Sequence, residues 1–200
     1  MMLPENGHRA HGFSSAFFLD SDEIIQELNL KGDETFMDAG CGDGYISIKA
    51  IEEYLPDGTV YAVDIHEESL EGLMEYKNAN NVENLINVVA DIAEGISCVE
   101  DSSVDVILMV NVFHGFKASQ KEDAVIEELA RLIGNDGKIA IVDFNPIEIP
   151  HGPPIDIKSS PKRLEELFSN HNLKKVYLND ELGADYPNGK SHYMIIFKKE

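Results

Sequence analysis

The segment Phe36-Met37-Asp38-Ala39-Gly40-Cys41-Gly42-Asp43-Gly44-Tyr45 reads as a strand running into a glycine-rich turn and then a helix. Glycines in such a turn permit positive φ and let ligand atoms reach the backbone with no Cβ in the way, which suits nucleotide binding. A dinucleotide fingerprint asks for G-x-G-x-x-G with a pyrophosphate on the helix N-terminus. Here the third glycine comes one residue early and Asp43 sits inside the loop, where it repels phosphate. Asp38, just before the glycines, suits a ligand carrying an ammonium group. Two further acids follow apolar strands, Asp64 after Val60-Tyr61-Ala62-Val63 and Asp91 after 86–90. For proton transfer near neutral pH the best candidate is His114, in Asn111-Val112-Phe113-His114-Gly115-Phe116, and the second is Asp143.

These residues need strand ends to hold them. The pattern predicts strands at 35–38, 59–64, 86–90, 104–110 and 138–144, interleaved with helices at 44–54, 67–79 and 121–132. Strands separated by helices of this length pair in parallel through right-handed crossovers, with both sheet faces covered. An earlier helix starts at Ser21-Asp22-Glu23, where an oxygen-bearing cap and first-turn acids favour the helix dipole, and stops near Lys31-Gly32. After Phe144 the pattern changes. Pro146, Pro150, Pro153, Pro154 and Pro161 with Gly152 make 145–161 a long loop, and 160–170 resembles a capped helix. Segments 174–178 and 192–198, joined by a turn-rich stretch 179–191, end the chain as an antiparallel pair.

Composition bounds the function. The chain of 200 residues fits one compact domain over 21–200 behind a loosely structured N-terminal arm or lid at 1–20. Apolar residues make up 43%, enough for a packed core, yet no run approaches the roughly 20 residues that span a bilayer. With no basic and apolar leader at the N-terminus, a cytoplasmic protein without membrane association is expected. A formal charge of −21 repels phosphate backbones, so direct nucleic-acid binding is not expected. Cys41 and Cys98 are the only cysteines and show no zinc-like spacing. Glu5, His8 and His11 lie on an arm that nothing orders, so no metal site is expected.

On Asp38-Ala39-Gly40-Cys41-Gly42-Asp43-Gly44, on Asp64 closing the second strand, and on Arg131-Leu132-Ile133-Gly134-Asn135-Asp136-Gly137-Lys138 leading into the fifth, the chain resembles the class I S-adenosylmethionine (SAM)-dependent methyltransferases over nearly its whole length. The resemblance implies an α/β, Rossmann-like, doubly wound fold: a seven-stranded, mostly parallel sheet with an antiparallel C-terminal strand and helices on both faces. It implies SAM as cofactor and S-adenosylhomocysteine as product, bound by Asp38, Gly40, Cys41, Gly42, Gly44, Asp64, Ile65, Asp91, Ile92 and Asn111. In that family Asp64 corresponds to the carboxylate that accepts both ribose hydroxyls, and Ile65 packs beside the adenine. Asp91 accepts from the adenine amino group, the Ile92 backbone N–H meets the ring, and Asn111 lies near the methionyl end.

His114 and Asp143 are the catalytic candidates, although methyl transfer from an activated sulfonium makes a base optional. The run at 111–114 lacks the Asn-Pro-Pro-aromatic signature of nucleic-acid amino methylation and resembles members acting on small, diffusible acceptors. Arsenite methylation would need more thiols than Cys41 and Cys98 supply. Metal-assisted catechol methylation would need a third partner for Asp143 and Asn145. The expected substrate is a small molecule, with 145–161 as its loop or lid. The alternatives are a SAM-binding protein without turnover and a methyltransferase acting on a protein partner.

Overall fold

The computed structural model describes residues 19–150 and 152–200. Five strands, β1 (Thr35–Ala39), β2 (Thr59–Asp64), β3 (Leu85–Val89), β4 (Val104–Val110) and β5 (Ile133–Phe144), are joined through α2 (Tyr45–Lys49), α3 (Glu67–Asn80), α4 (Phe113–Ala118) and α5 (Glu122–Leu132). All pairings among the five are parallel. The helix α1 (Ser21–Glu27) precedes them, and α6 (Pro161–Ser169), β6 (Leu173–Tyr186) and β7 (Gly189–Lys199) follow. The seven strands form one sheet in the order β3-β2-β1-β4-β5-β7-β6, with β7 antiparallel to both β5 and β6. This is the expected doubly wound architecture. The order reverses between β1 and β4, so the crevice for ligands opens where their carboxyl ends diverge, beside Ala39 and Val110.

Period-two alternation assigns each strand residue to one of two apolar layers. Phe36, Val60, Val106, Leu108 and Val142 pack with Ile24, Ile25, Ile46, Leu70 and Leu73, on the side of α1, α2 and α3. Met37, Val63, Ile107, Ile139 and Ile141 pack with Phe113, Val125, Leu129 and Phe168, on the side of α4, α5 and α6. The same alternation aims the polar strand-end residues. Asp38 shares the face of Phe36 and meets α2, while Asp143 shares the face of Ile141 and meets α4.

Several boundaries differ from the expected ones. The first helix is capped by Asp20, whose carboxylate accepts the Asp22 N–H at 2.9 Å, rather than by Ser21. The helix expected over 44–54 is α for Tyr45–Lys49 and then a π turn over Ala50–Tyr54. β5 begins at Ile133 because an irregularity at Val104/Val106 lets it pair early with β4. The stretch 179–191, expected as turn, is mostly strand: β6 and β7 extend through it to a tight connection at Pro187-Asn188. Register shifts at Lys175/Tyr177, Asn179/Leu182 and Leu182/Asp185 break the alternation that would have revealed this hairpin. The loop over 145–161 has no helix or strand before Pro161 among its described residues. Residues 1–18, with most of the expected arm and with Glu5, His8 and His11, lie outside the described residues. No described helix is long and apolar enough to cross a membrane.

Phe168 couples α6 to the sheet. Its ring stacks on Phe197 at a centroid distance of 4.0 Å and lies 5.8 Å from Phe113, with no exposure. Phe168→Ala should cost about 3 to 5 kcal/mol in denaturant unfolding, because the hole left between the Phe113 and Phe197 rings cannot fully collapse. A loss under about 1 kcal/mol would show that this layer repacks.

Candidate active site

Three left-handed glycines build the turn after β1, with φ of +83° at Gly40, +54° at Gly42 and +76° at Gly44. At Gly40 the requirement is also steric: a Cβ there would stand 2.5 Å from Cγ2 of Val112. This contact presses the turn against the residue just before α4. Gly42 is different, since a Cβ there would meet nothing within 4 Å among the described residues, which leave its face open. The turn is further held by Val63 O, which accepts from Gly40 N at 2.8 Å and Cys41 N at 2.9 Å. Cys41 is buried, and desolvation with Asp38 and Asp64 nearby pushes its thiol far up, so it is packing rather than nucleophile.

Asp64 joins this turn to the end of β2. Oδ2 accepts from Gly42 N and Oδ1 from His66 N, both at 2.9 Å. Each oxygen keeps a further lone-pair direction, so the carboxylate can still face two neighbouring hydroxyls. Ile65 beside it is 54% exposed, so about half of an apolar side chain is left uncovered by the described residues. Asp91 caps the short turn Ile92–Glu94 through Ala93 N at 3.0 Å and pairs with Lys121 Nζ at 2.8 Å. The Ile92 side chain is buried in the core, which leaves its backbone for any ligand contact. The segment beyond is braced by buried Glu128, which accepts from Ile96 N at 2.7 Å, and by Arg131, which donates to Ile96 O and Val99 O.

Asp38 is 2% exposed, and its Oδ2 accepts from Ser47 Oγ at 2.7 Å. Burial lifts its pKa to about 7 against the Ser47 hydrogen bond, with the negative charges of Asp64 and Asp43 adding to the rise. A cationic ligand group nearby would offset that repulsion.

Past β4, Asn111 adopts φ +58° and donates its N–H to Val142 O at 2.9 Å, turning the chain into α4. His114 Nδ1 meets Asp143 Oδ1 at 2.8 Å, and the His114 backbone N–H donates to Oδ2 at 2.9 Å. Phe144 N donates to Oδ1 at 2.7 Å. The two catalytic candidates are thus one unit. A carboxylate on Nδ1 keeps the proton there and makes Nε2 the basic nitrogen. Aromatic packing steadies the pair: the Phe144 ring lies edge-on to His114 at 5.7 Å and against the fully buried His192 at 4.2 Å. Burial pushes His192 down to about 4, so it stays neutral.

All the expected site residues therefore lie at or just beyond carboxyl ends of β1 to β5. The glycine turn and Asp64 are in direct contact, and Val112 links that turn to the segment of His114. Sequence reading missed the Val112 contact, the Lys121 partner of Asp91 and the Ser47 partner of Asp38. Only tertiary pairing reveals these, since each is an ordinary helix or loop residue in its own segment. The residues fit an adenosyl ligand on two observations: the open face at Gly42 and the half-exposed Ile65 beside a carboxylate with spare acceptor capacity.

A family model described as a methyltransferase domain matches residues 30–199. Among solved structures, a SAM-dependent methyltransferase from Aquifex aeolicus superposes with a TM-score of 0.78 at 23% identity, covering 94% of this chain and 93% of that one. A second, from Clostridium acetobutylicum, gives 0.67 at 14% identity, with 90% of each chain covered. A mitomycin 7-O-methyltransferase gives 0.69 at 15% identity over 90% of this chain and 54% of that one. These likenesses show the fold. No curated protein matches significantly.

Gly40→Ala should lower stability by about 2 kcal/mol or more, combining left-handed strain with the Val112 clash. Gly42→Ala should cost only about 1 kcal/mol, from backbone strain alone. Equal losses in thermal unfolding would contradict the difference in packing. For Asp38 the sign follows from linkage. Between 3.8 and about 7 the folded chain holds a proton that the unfolded chain has released, so this group's contribution to stability falls as pH rises through that window. Asp38→Asn should flatten the pH profile there and be more stable than the parent at pH 8 by about 2 kcal/mol. An unchanged slope would place Asp38 among ordinary carboxylates.

Proposed function

Because the chain belongs to the methyltransferase-domain family, we propose that it moves the methyl group of SAM to a small-molecule acceptor by in-line displacement, releasing S-adenosylhomocysteine. The observation that carries the catalytic part is the buried His114–Asp143 pair, placed beside the glycine turn through Val112. The cofactor, when bound, supplies a methyl carbon already made electrophilic by a sulfonium charge. What remains for the protein is to hold that carbon in line with the acceptor, exclude water and accept a proton.

The residues divide that work. Asp64 would hold the ribose hydroxyls as a bidentate acceptor, with Ile65 against the adenine and Asp91 and the Ile92 backbone as partners for its edge. The turn from Gly40 to Gly44, with Asp38 and Asn111, would hold the methionyl portion. His114 Nε2 takes the proton of the acceptor. Asp143 fixes the ring through Nδ1 and stabilises the imidazolium that forms, and is not itself the base. The loop over 145–161 forms the acceptor's wall and lid. The 7-O-methyltransferase of mitomycin among the structural neighbours supports a small acceptor. The acidic surface supports the competing reading of a basic protein substrate. We place the activity in the cytoplasm.

Incubation with methyl-tritiated SAM and a cell extract separated by size tests the acceptor class. Label in the low-molecular-weight fraction is expected; label confined to protein would transfer the assignment to a protein acceptor. His114→Ala should lower kcat by about a hundredfold, within the range for a lost general base, while the affinity for S-adenosylhomocysteine holds. Unaltered turnover would reduce His114 to scaffold.

A further inference from the structure

Lys158 is 4% exposed, an unusual place for an ammonium. Its Nζ donates to Ile147 O at 2.6 Å and stands 5.6 Å from the centre of the Phe144 ring. Among the described residues no carboxylate lies within ion-pair distance of it. Desolvation accordingly holds its pKa below the ordinary lysine value, opposed by the more distant charges of Asp143 and Glu148. A buried cation whose partners among the described residues are one carbonyl and one ring is costly to keep unless something else offsets it.

The backbone around it is fixed from two sides. Lys117 Nζ from α4 donates to Lys158 O at 2.5 Å, and Tyr193 Oη from β7 donates to Ser159 O at 3.0 Å. Lys158 thus stands on a braced end of the loop over 145–161. It also lines a groove of about 560 Å³, whose other walls are Ile149, Pro150, Pro153, Pro154 and Ile155, with Glu148 exposed at the rim. The groove is open to one side rather than enclosed. Its side chains are apolar apart from the two charged residues, of which Lys158 is the buried one, while polar groups make up about half of its exposed surface.

Resting on the small-molecule reading above, we propose that this groove is the acceptor site and that Lys158 is its anchor for a carboxylate, making the acceptor an acidic and largely apolar small molecule. A single ammonium with unused donor capacity matches a monoanion better than a phosphate, which takes several donors. The overall charge of −21 sharpens the point, because an anionic acceptor is repelled by the protein as a whole and needs a specific cation to be held. Phe144 connects the two chemistries. One ring contacts both the Lys158 ammonium and the His114 imidazole, and through it the groove is connected to the proposed base.

The test uses matched pairs, benzoate, 3-phenylpropanoate and octanoate, each against its amide. Binding is followed by ligand-observed NMR on the full chain saturated with S-adenosylhomocysteine. At least one acid should bind about tenfold or more tightly than its amide, as one charge-assisted contact allows. Lys158→Met, which keeps the apolar stem, should abolish that preference while leaving the affinity for S-adenosylhomocysteine unchanged, and Lys158→Arg should restore part of it. Equal binding of acids and amides by the parent protein, an acid preference that survives Lys158→Met, or no acid bound at millimolar concentrations each overturns the proposal. Persisting S-adenosylhomocysteine binding in those cases leaves the methyltransferase reading intact; its failure in the parent protein would bring down that reading instead.

Discussion

The site depends on one carboxylate. Asp64 accepts the N–H groups of Gly42 and His66 and so ties the turn after β1 to the end of β2, on the side of β1 away from β4. Without that tie a turn with left-handed glycines at every second position would have no reason to hold one shape, since glycine loses the most backbone freedom on ordering. From the other side Val112 presses on Gly40 and permits no side chain there. The turn is therefore held between β2 and the segment leading into α4. The entropy lost in ordering three glycines is offset by contacts with neighbours that themselves belong to the candidate site.

The acids of this protein differ in their partners. Asp64, buried, and Asp91, half-buried, lie at strand ends with backbone or lysine partners and keep further acceptor capacity. Asp38 is enclosed and shares its carboxylate with Ser47. Asp143 is enclosed too, but satisfied by two backbone N–H groups and the His114 ring. A buried carboxylate with three donors is stable and directional, which suits a group that orients an imidazole.

Much of the fold was readable because short apolar strands alternating with amphipathic helices can close in few ways. The cofactor side was readable for a related reason: Gly40, Gly42, Gly44, Asp64 and Asp91 are positions where a strand ends and local backbone demands limit the residue. The surroundings of the proposed acceptor groove were legible only as a long loop over 145–161 and as His114 and Asp143 taken singly. α4, over Phe113–Ala118, is too short to show a helical period, and Gly115 interrupts it further. The length of the β6–β7 hairpin is hidden by its register shifts. Lys158 carries no local signal at all, because a lysine in a proline-rich loop reads as solvated until Tyr193, Lys117 and Phe144 close around it. His114 and Asp143 were visible singly, but their union depends on α4 meeting the carboxyl end of β5.

The most direct test of the central claim, that Asp64 and the glycine turn form an adenosyl site, is calorimetric titration of the parent chain and of Asp64→Ala with S-adenosylhomocysteine, with NADH as the control ligand. The account predicts micromolar binding to the parent, about −8 kcal/mol, weakened by about 2 kcal/mol or more in the variant, and no binding of NADH. Binding of NADH in place of the adenosyl ligand, or equal affinity in the two proteins, would contradict it.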